Sequence, residues 1–137
     1  MRLPTSGITR PPRVRPGDTI RVVAPSGPVP KEDFEAGLFA LGGRYRVAYD
    51  PEALYAVAGY LAGPDEQRVE ALNDALRDPG CRAIVMARGG YGLLRILPFI
   101  DVAALRASPK PIVGFSDGTA LLALASRAGV AAVHGPV

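Results

Sequence analysis

A serine between two glycines is the feature of this sequence most suggestive of chemistry. The stretch "GFSDG" (residues 114–118) follows the apolar run "KPIV" and precedes an apolar helical pattern. Its spacing matches the G-x-S-x-G nucleophile elbow, in which a strained turn between a strand and a helix exposes the serine hydroxyl. Ser116 is then a candidate nucleophile, and the backbone N–H of Asp117, the next residue, is a candidate oxyanion donor. The alternative is a serine that only caps the following helix.

Other residues that bear on this chemistry are a second glycine loop and one histidine. The loop "RGGYG" (residues 88–92) has backbone N–H groups that can line an anion or oxyanion site, or it is a tight crossover that needs positive φ angles. It lacks the spacing of dinucleotide-binding loops and the P-loop lysine. His134 is the only histidine. It reads more simply as the end of a strand than as a base, and the 21 residues after Ser116 cannot hold the remaining triad of an α/β-hydrolase.

The elements around these motifs predict an α/β, Rossmann-like three-layer domain with a mainly parallel sheet. Short apolar strands such as "TIRVV" and "CRAIVMA" alternate with helical patterns, of which "PDEQRVEALNDALR" is the clearest. Alternation of this kind indicates parallel strands covered by helices, with ligands bound at the carboxyl ends of the strands. The loops "APSGP", "RGGYG" and "GFSDG" all follow predicted strands. We expect residues 1–17 to be a flexible lead-in and residues 18–137 to form the domain; residues 50–63 fit either a short helix or an apolar loop.

Composition excludes several classes of function. The net charge of +3 comes from four arginines within residues 1–16, and the remainder has 12 basic and 13 acidic residues, so no nucleic-acid groove is indicated. One cysteine, Cys81, excludes an internal disulfide framework and a cysteine-based zinc site. No apolar run approaches the roughly 20 residues of a membrane span, and the N-terminus lacks the apolar segment of a signal peptide. We therefore expect a cytoplasmic protein without a membrane partner.

Five segments taken together resemble the N-terminal domain of the LD-carboxypeptidase (muramoyltetrapeptide carboxypeptidase) family of serine peptidases. They are "IRVVAPSGPV", "GYLAGPDEQRVEALNDALRDP", "AIVMARGGYGLLRILPFID", "KPIVGFSDGTALL" and the closing "HGPV". The segments match in order and spacing from about Asp18 to Val137. This is far more specific than any one of the motifs.

The resemblance implies an enzyme of cell-wall recycling that removes the terminal D-alanine from murein tetrapeptides. It implies a Ser-His-Glu triad and neither a metal nor a cofactor. Ser116 falls on the family's nucleophile, and the N–H groups of Asp117 and Gly90 fall on its oxyanion hole. The triad glutamate and histidine belong to a C-terminal domain that begins after "HGP", so His134 is not the catalytic histidine. We expect this chain to be inactive alone and to self-associate as a homo-oligomer.

Three other functions are compatible with the sequence. A self-immunity peptidase of the same family inactivates a peptide-nucleotide antibiotic, and this half of the protein does not distinguish it from a murein peptidase. A non-catalytic module would use "RGGYG" and the helix after Ser116 to bind an anionic ligand. The third is a folded fragment without independent function, whose exposed apolar face belongs against the absent domain.

Overall fold

The structure is a computed structural model that describes residues 7–135 of the chain. Residues 1–6 of the expected lead-in, and the last two residues of the "HGPV" segment, lie outside the described residues. The rest of the lead-in contacts the domain at Thr9, which forms a parallel bridge with Val130. The N–H of Thr9 donates to the carbonyl of Gly129 at 2.7 Å, and the N–H of Ala131 donates to the carbonyl of Thr9 at 2.9 Å.

A single sheet of parallel strands forms the middle layer. The strands are β1 (Thr19–Val23), β2 (Arg46–Ala48), β3 (Ala83–Met86), β4 (Ile112–Gly114) and β5 (Val133–His134). Their order across the sheet is β2-β1-β3-β4-β5, and every pair among these five is parallel. This is a doubly wound order in which the direction of winding reverses between β1 and β3. The prediction of an α/β domain with a parallel sheet is confirmed.

Helices cover both faces of the sheet and enclose two apolar cores. The helices are α1 (Lys31–Gly42), α2 (Pro51–Leu54), α3 (Asp65–Arg77), α4 (Leu93–Ile96), α5 (Val102–Ala107) and α6 (Thr119–Arg127). On one face α1 and α2 bury Phe34 and Leu54 against Val22 and Ala24 of the β1 region. On the other face the larger core brings α3, α4, α5 and α6 against the side chains of β3 and β4. This is the expected three-layer arrangement.

Local sequence explains where several of these helices begin and end. Asp50 caps α2 by accepting the N–H of Glu52, and Asp101 caps α5 by accepting the N–H of Ala104. The helix α4 ends before Pro98, where the chain continues as a 3-10 turn from Leu97 to Phe99. Within the ambiguous residues 50–63, the short helix α2 is followed by an antiparallel bridge between Ala58 and Leu61.

A buried lysine fixes the end of α3 to the start of β4. The ammonium of Lys110, which is 3% exposed, donates to the carbonyls of Ala75 at 3.1 Å and Asp78 at 2.8 Å. These carbonyls lie at the end of α3, where a helix leaves acceptors without partners. Burial lowers the pKa of Lys110 from its ordinary value. Nearby, Cys81 is buried, and burial raises the pKa of its thiol.

One part of the sheet keeps apolar side chains open to solvent. Ile112 and Ala132 belong to the larger core or pack against it, so Val113 and Val133, which alternate with them, point to the opposite face. Val133 is 48% exposed. Within residues 7–135, no helix has both the length and the apolar character that a membrane crossing requires.

Candidate active site

Three loops meet at the carboxyl edge of the sheet, as the sequence predicted. Loop 1 (residues 24–30) follows β1, loop 2 (residues 88–92) follows β3, and loop 3 (residues 115–118) follows β4. The N–H of Gly27 donates to the carbonyl of Gly89 at 3.0 Å and joins loop 1 to loop 2. Loops 1 and 2 leave the two strands between which the winding reverses, which is where open α/β sheets form ligand crevices.

Ser116 has a strained backbone at the start of loop 3's 3-10 turn. Its φ angle is 54°, and no other non-glycine residue among residues 7–135 has a positive φ. The residue is exposed, and its side chain forms no capping hydrogen bond with the turn or with α6. A side chain in this region of φ is unfavourable and is found where the surrounding structure enforces it. The geometry therefore fits a nucleophile elbow better than a helix cap.

The two glycines of the motif leave room for a methionine of the neighbouring strand. A Cβ on Gly114 would overlap the Cε atom of Met86, and a Cβ on Gly118 would lie 2.8 Å from its Sδ atom. Met86 is buried in the larger core. The Met86 side chain thus occupies the space beneath the turn, and a larger residue at position 114 or 118 would have to displace its flexible end.

Loop 2 packs against Ser116 without an intervening side chain. A Cβ on Gly89 would lie 2.8 Å from the Cβ and 3.0 Å from the Oγ of Ser116. Gly90 and Gly92 have φ angles of 113° and 115°, so the tight crossover that the sequence allowed is present. A Cβ on Gly90 would also lie 3.1 Å from the Cα of Gly27 in loop 1. The loop is thus confined by the Ser116 side chain on one side and by the backbone of loop 1 on the other.

Asp117 connects loop 3 to the helix after loop 2. Its carboxylate accepts a hydrogen bond from the N–H of Leu93, the first residue of α4, at 2.9 Å. The backbone N–H groups of Asp117 and Gly90 have no hydrogen-bond acceptor among residues 7–135. These two N–H groups are available to a ligand, whereas the Asp117 carboxylate is already engaged.

No side chain among the described residues forms a hydrogen bond with the Ser116 hydroxyl. His134 pairs in register with Gly114 on the neighbouring strand and has an exposed side chain, but it forms no hydrogen bond with Ser116. Residues 7–135 also hold no group of three or more His, Cys, Asp or Glu side chains arranged for a metal ion. The site as described is a positioned serine with free N–H groups and no proton acceptor.

Ser116 lies on an open surface and not in one of the larger cavities. A cavity of about 340 Å³ lies between α1 and the sheet, with a largely apolar lining that includes Phe34 and Val85. A second cavity of about 560 Å³ is lined by residues that include Arg13, Arg82 and Lys110, toward the opposite edge of the sheet. Neither cavity has Ser116 in its lining.

Two residues that shape this site were not predicted from the sequence. Met86 reads as an ordinary core residue of a strand, and Arg68 reads as a solvated charge on a helix. Arg68 is in fact buried and donates hydrogen bonds to carbonyls of Pro25 and Gly92. A signal was present, since Arg68 precedes Leu72 by four residues and therefore shares the apolar side of α3.

Comparison with known proteins agrees with the fold and with the motifs. A family model described as the LD-carboxypeptidase N-terminal domain matches residues 20–135. The chain belongs to the LD-carboxypeptidase family. The murein tetrapeptide carboxypeptidase of Pseudomonas aeruginosa is 40% identical over 122 residues, which cover 86% of this chain and 39% of that protein.

Solved structures of the family share the fold. The microcin C7 self-immunity protein MccF, in a complex with adenosine monophosphate, superposes with a TM-score of 0.84 at 30% identity, covering 95% of this chain and 39% of that one. The muramoyltetrapeptide carboxypeptidase of Oxalobacter formigenes gives a TM-score of 0.76 at 30% identity, covering 87% of this chain and 40% of that one. The chain thus spans about two fifths of the length of these LD-carboxypeptidase relatives.

The positive φ of Ser116 generates a prediction about stability. Ser116→Gly and Ser116→Ala remove the same hydroxyl, but only glycine relieves the strained φ angle. We expect the glycine variant to have a free energy of unfolding about 1 kcal/mol higher than the alanine variant. Urea denaturation of the purified variants measures the difference.

Ser126 supplies the matched control for this comparison. It is exposed within α6, where glycine is less favourable than alanine by about 1 kcal/mol, so the order of the two variants should reverse. An alanine variant at position 116 as stable as the glycine variant, or more stable, would show that the turn is not strained.

Proposed function

We propose that this chain is the nucleophile-bearing N-terminal domain of a serine LD-carboxypeptidase, which releases the terminal D-alanine from murein tetrapeptides during cytoplasmic cell-wall recycling. The observation that carries the proposal is the exposed Ser116, at a φ of 54° and packed against the backbone of loop 2. The similarity to the Pseudomonas aeruginosa murein tetrapeptide carboxypeptidase over 86% of the chain supports the choice of substrate.

In the proposed reaction Ser116 is the nucleophile. Its Oγ forms a bond to the scissile carbonyl carbon, and its proton passes to a histidine supplied by the rest of the protein. The negative charge that develops on the carbonyl oxygen is stabilised by the N–H groups of Gly90 and Asp117, which have no acceptor among the described residues. The C–N bond then breaks, the histidine protonates the departing D-alanine amine, and water hydrolyses the acyl-enzyme.

The remaining catalytic groups are assigned to a C-terminal domain. Residues 7–135 place no base within hydrogen-bond reach of Ser116, and an unassisted serine hydroxyl is a weak nucleophile near neutral pH. The part of the sheet where Val133 is 48% exposed offers an apolar surface for a partner. We therefore propose that a glutamate and a histidine of that domain complete the triad. The isolated chain should be inactive and should self-associate as a homo-oligomer.

A self-immunity peptidase is the second candidate function. The TM-score of 0.84 with MccF favours it, since the carboxypeptidase from Oxalobacter formigenes gives 0.76. Sequence favours the murein substrate, because MccF of Escherichia coli matches only 56% of the chain, at 36% identity. Assaying the full-length protein with murein tetrapeptide and with a peptidyl nucleotide in parallel separates the two. A non-catalytic anion-binding module is disfavoured, because binding through N–H groups does not require a strained serine.

Ser116→Ala in the full-length protein tests the proposed function. We expect D-alanine release from murein tetrapeptide to fall by at least about a hundredfold, because the nucleophile is lost. The measurement is kcat with tetrapeptide as substrate. Ser126→Ala, an exposed change on α6, is the control and should retain full activity. The wild-type 137-residue chain should show no turnover. Retention of more than about a hundredth of the activity by Ser116→Ala would contradict the assignment.

Gly90→Ala tests the proposed oxyanion donor in the same protein. A Cβ at this positive φ would press on Gly27 and displace the loop that carries the N–H group. Because an oxyanion donor acts mainly in the transition state, we expect kcat to fall by about 10²–10³ with a smaller change in KM.

Gly17→Ala is the matched control for that substitution. Gly17 also has a positive φ, of 87°, but nothing lies within 4 Å of its Cβ position, and it precedes β1 at the opposite edge of the sheet. It should therefore reproduce the backbone strain without the loss of turnover. A change in KM alone for Gly90→Ala would assign loop 2 to substrate binding and not to transition-state stabilisation.

A further inference from the structure

Arg68 is a buried charged residue whose hydrogen bonds reach two loops of the candidate site. Arginine is rarely fully buried unless it is paired, yet Arg68 on α3 is only 2% exposed. We propose that Arg68 is a positioning residue for the reaction: its guanidinium locks loop 1 to loop 2 and thereby holds the Gly90 N–H group in place beside Ser116. The inference rests on the proposed function and extends it to a residue that does not touch the reacting atoms.

A single nitrogen of Arg68 joins the two loops. Nη1 donates to the carbonyl of Pro25 in loop 1 at 2.6 Å and to the carbonyl of Gly92 in loop 2 at 3.1 Å. These carbonyls follow different strands and are 43 and 24 residues away from Arg68 in sequence. The planar guanidinium presents several donors in a rigid fork, so it fixes the separation of two acceptors better than a flexible ammonium does.

Asp65, at the start of α3, is the counter-ion of the Arg68 guanidinium and orients it. Nη2 of Arg68 donates to one carboxylate oxygen of Asp65, and the second oxygen accepts from Nε and Nη2 of Arg95 at 3.1 and 2.9 Å. The hydrogen bond from Arg95, and then that from Arg68, lower the pKa of Asp65 below its ordinary value. Asp65 is therefore ionised at neutral pH, and the buried guanidinium is not left without a counter-ion.

Loop 2 packs against Arg68 at one end and against Ser116 at the other. A Cβ on Gly92 would overlap Leu61 and would lie 3.1 Å from Nη1 of Arg68, so the guanidinium sits directly against the loop backbone. At the other end of the loop, Gly89 lies against Ser116, also at a distance that excludes a side chain. A shift of loop 2 therefore moves the Gly90 N–H relative to Oγ, and a misplacement of about 1 Å can cost about 10²-fold in rate.

Variants of the full-length protein separate this positioning role from a general contribution to folding. Arg68→Met keeps the length of the side chain but removes every donor, and Arg68→Lys keeps the charge without the planar fork. Arg77→Met is the matched control: it also removes an α3 ion pair, to Asp101 at 2.7 Å, but Arg77 has no hydrogen bond to loops 1, 2 or 3 among the described residues. The readouts are kcat and KM with murein tetrapeptide, and hydrogen exchange resolved by segment.

We expect Arg68→Met to lower kcat by about 10²-fold while KM changes by less than about threefold, because the loop acts on the transition state. Amide exchange at Gly27, whose N–H donates to Gly89 of loop 2, and at Leu93, whose N–H donates to Asp117, should accelerate by at least about tenfold while exchange in α6 stays unchanged. Arg68→Lys should change both quantities in the same direction but less, and it decides the question if the methionine variant does not fold. Arg77→Met should leave kcat and loop exchange within about twofold of wild type.

Two results would overturn the proposal. One is an unchanged kcat in a folded Arg68 variant, and the other is faster exchange throughout the domain with no preference for loop 2, which would make Arg68 a residue of general stability. The hydrogen-exchange measurement does not depend on the substrate. If the full-length wild-type protein releases no D-alanine, the proposed function fails. Hydrogen exchange at the loops still decides whether Arg68 holds loop 2.

Discussion

The approach of Gly89 to Ser116 is the contact on which the geometry of the candidate site depends. A Cβ on Gly89 would lie 2.8 Å from that of Ser116, and Gly27 approaches loop 2 from its other side just as closely. Loop 2 therefore lies between the backbone of loop 1 and the Ser116 side chain of loop 3, and each limits the movement of the others. This confinement explains how a non-glycine residue is held at a φ of 54°, a conformation that an unconstrained turn would relax.

In the proposed function, the chemistry is divided between this domain and a C-terminal domain. The parallel sheet supplies what rigid backbone supplies well, namely a serine at a strand end and N–H groups without acceptors. Among residues 7–135 no hydrogen bond joins a base to Ser116, and the one histidine, His134 on β5, pairs instead with Gly114 of β4. The proposal thus assigns positioning and electrostatic stabilisation to the fold described here, and proton transfer to a C-terminal domain.

Sequence reasoning predicted the elements and the three loops because their signals are local. Short apolar strands, the amphipathic α3 and the glycine motifs can each be recognised within a few residues. Contacts between distant segments were not accessible in this way. Residues 50–63 are organised by tertiary pairing, in which the N–H of Ala62 donates to the carbonyl of Ser26. The role proposed for Arg68 likewise depends on carbonyls brought together only by the fold, and the Met86 side chain that lies against Gly114 and Gly118 comes from another strand.

The central claim is that Ser116 attacks the substrate while the N–H groups of loops 2 and 3 stabilise the resulting oxyanion. A crystal structure of the full-length protein after reaction with a peptide phosphonate phenyl ester tests it most directly, because Oγ displaces phenoxide from phosphorus and leaves a stable mimic of the tetrahedral intermediate. The account predicts a covalent bond between the Oγ of Ser116 and phosphorus, with a phosphonyl oxygen about 2.7–3.1 Å from the nitrogens of Gly90 and Asp117. Phosphorus bound to a different residue, or an oxygen directed away from both N–H groups, would contradict it.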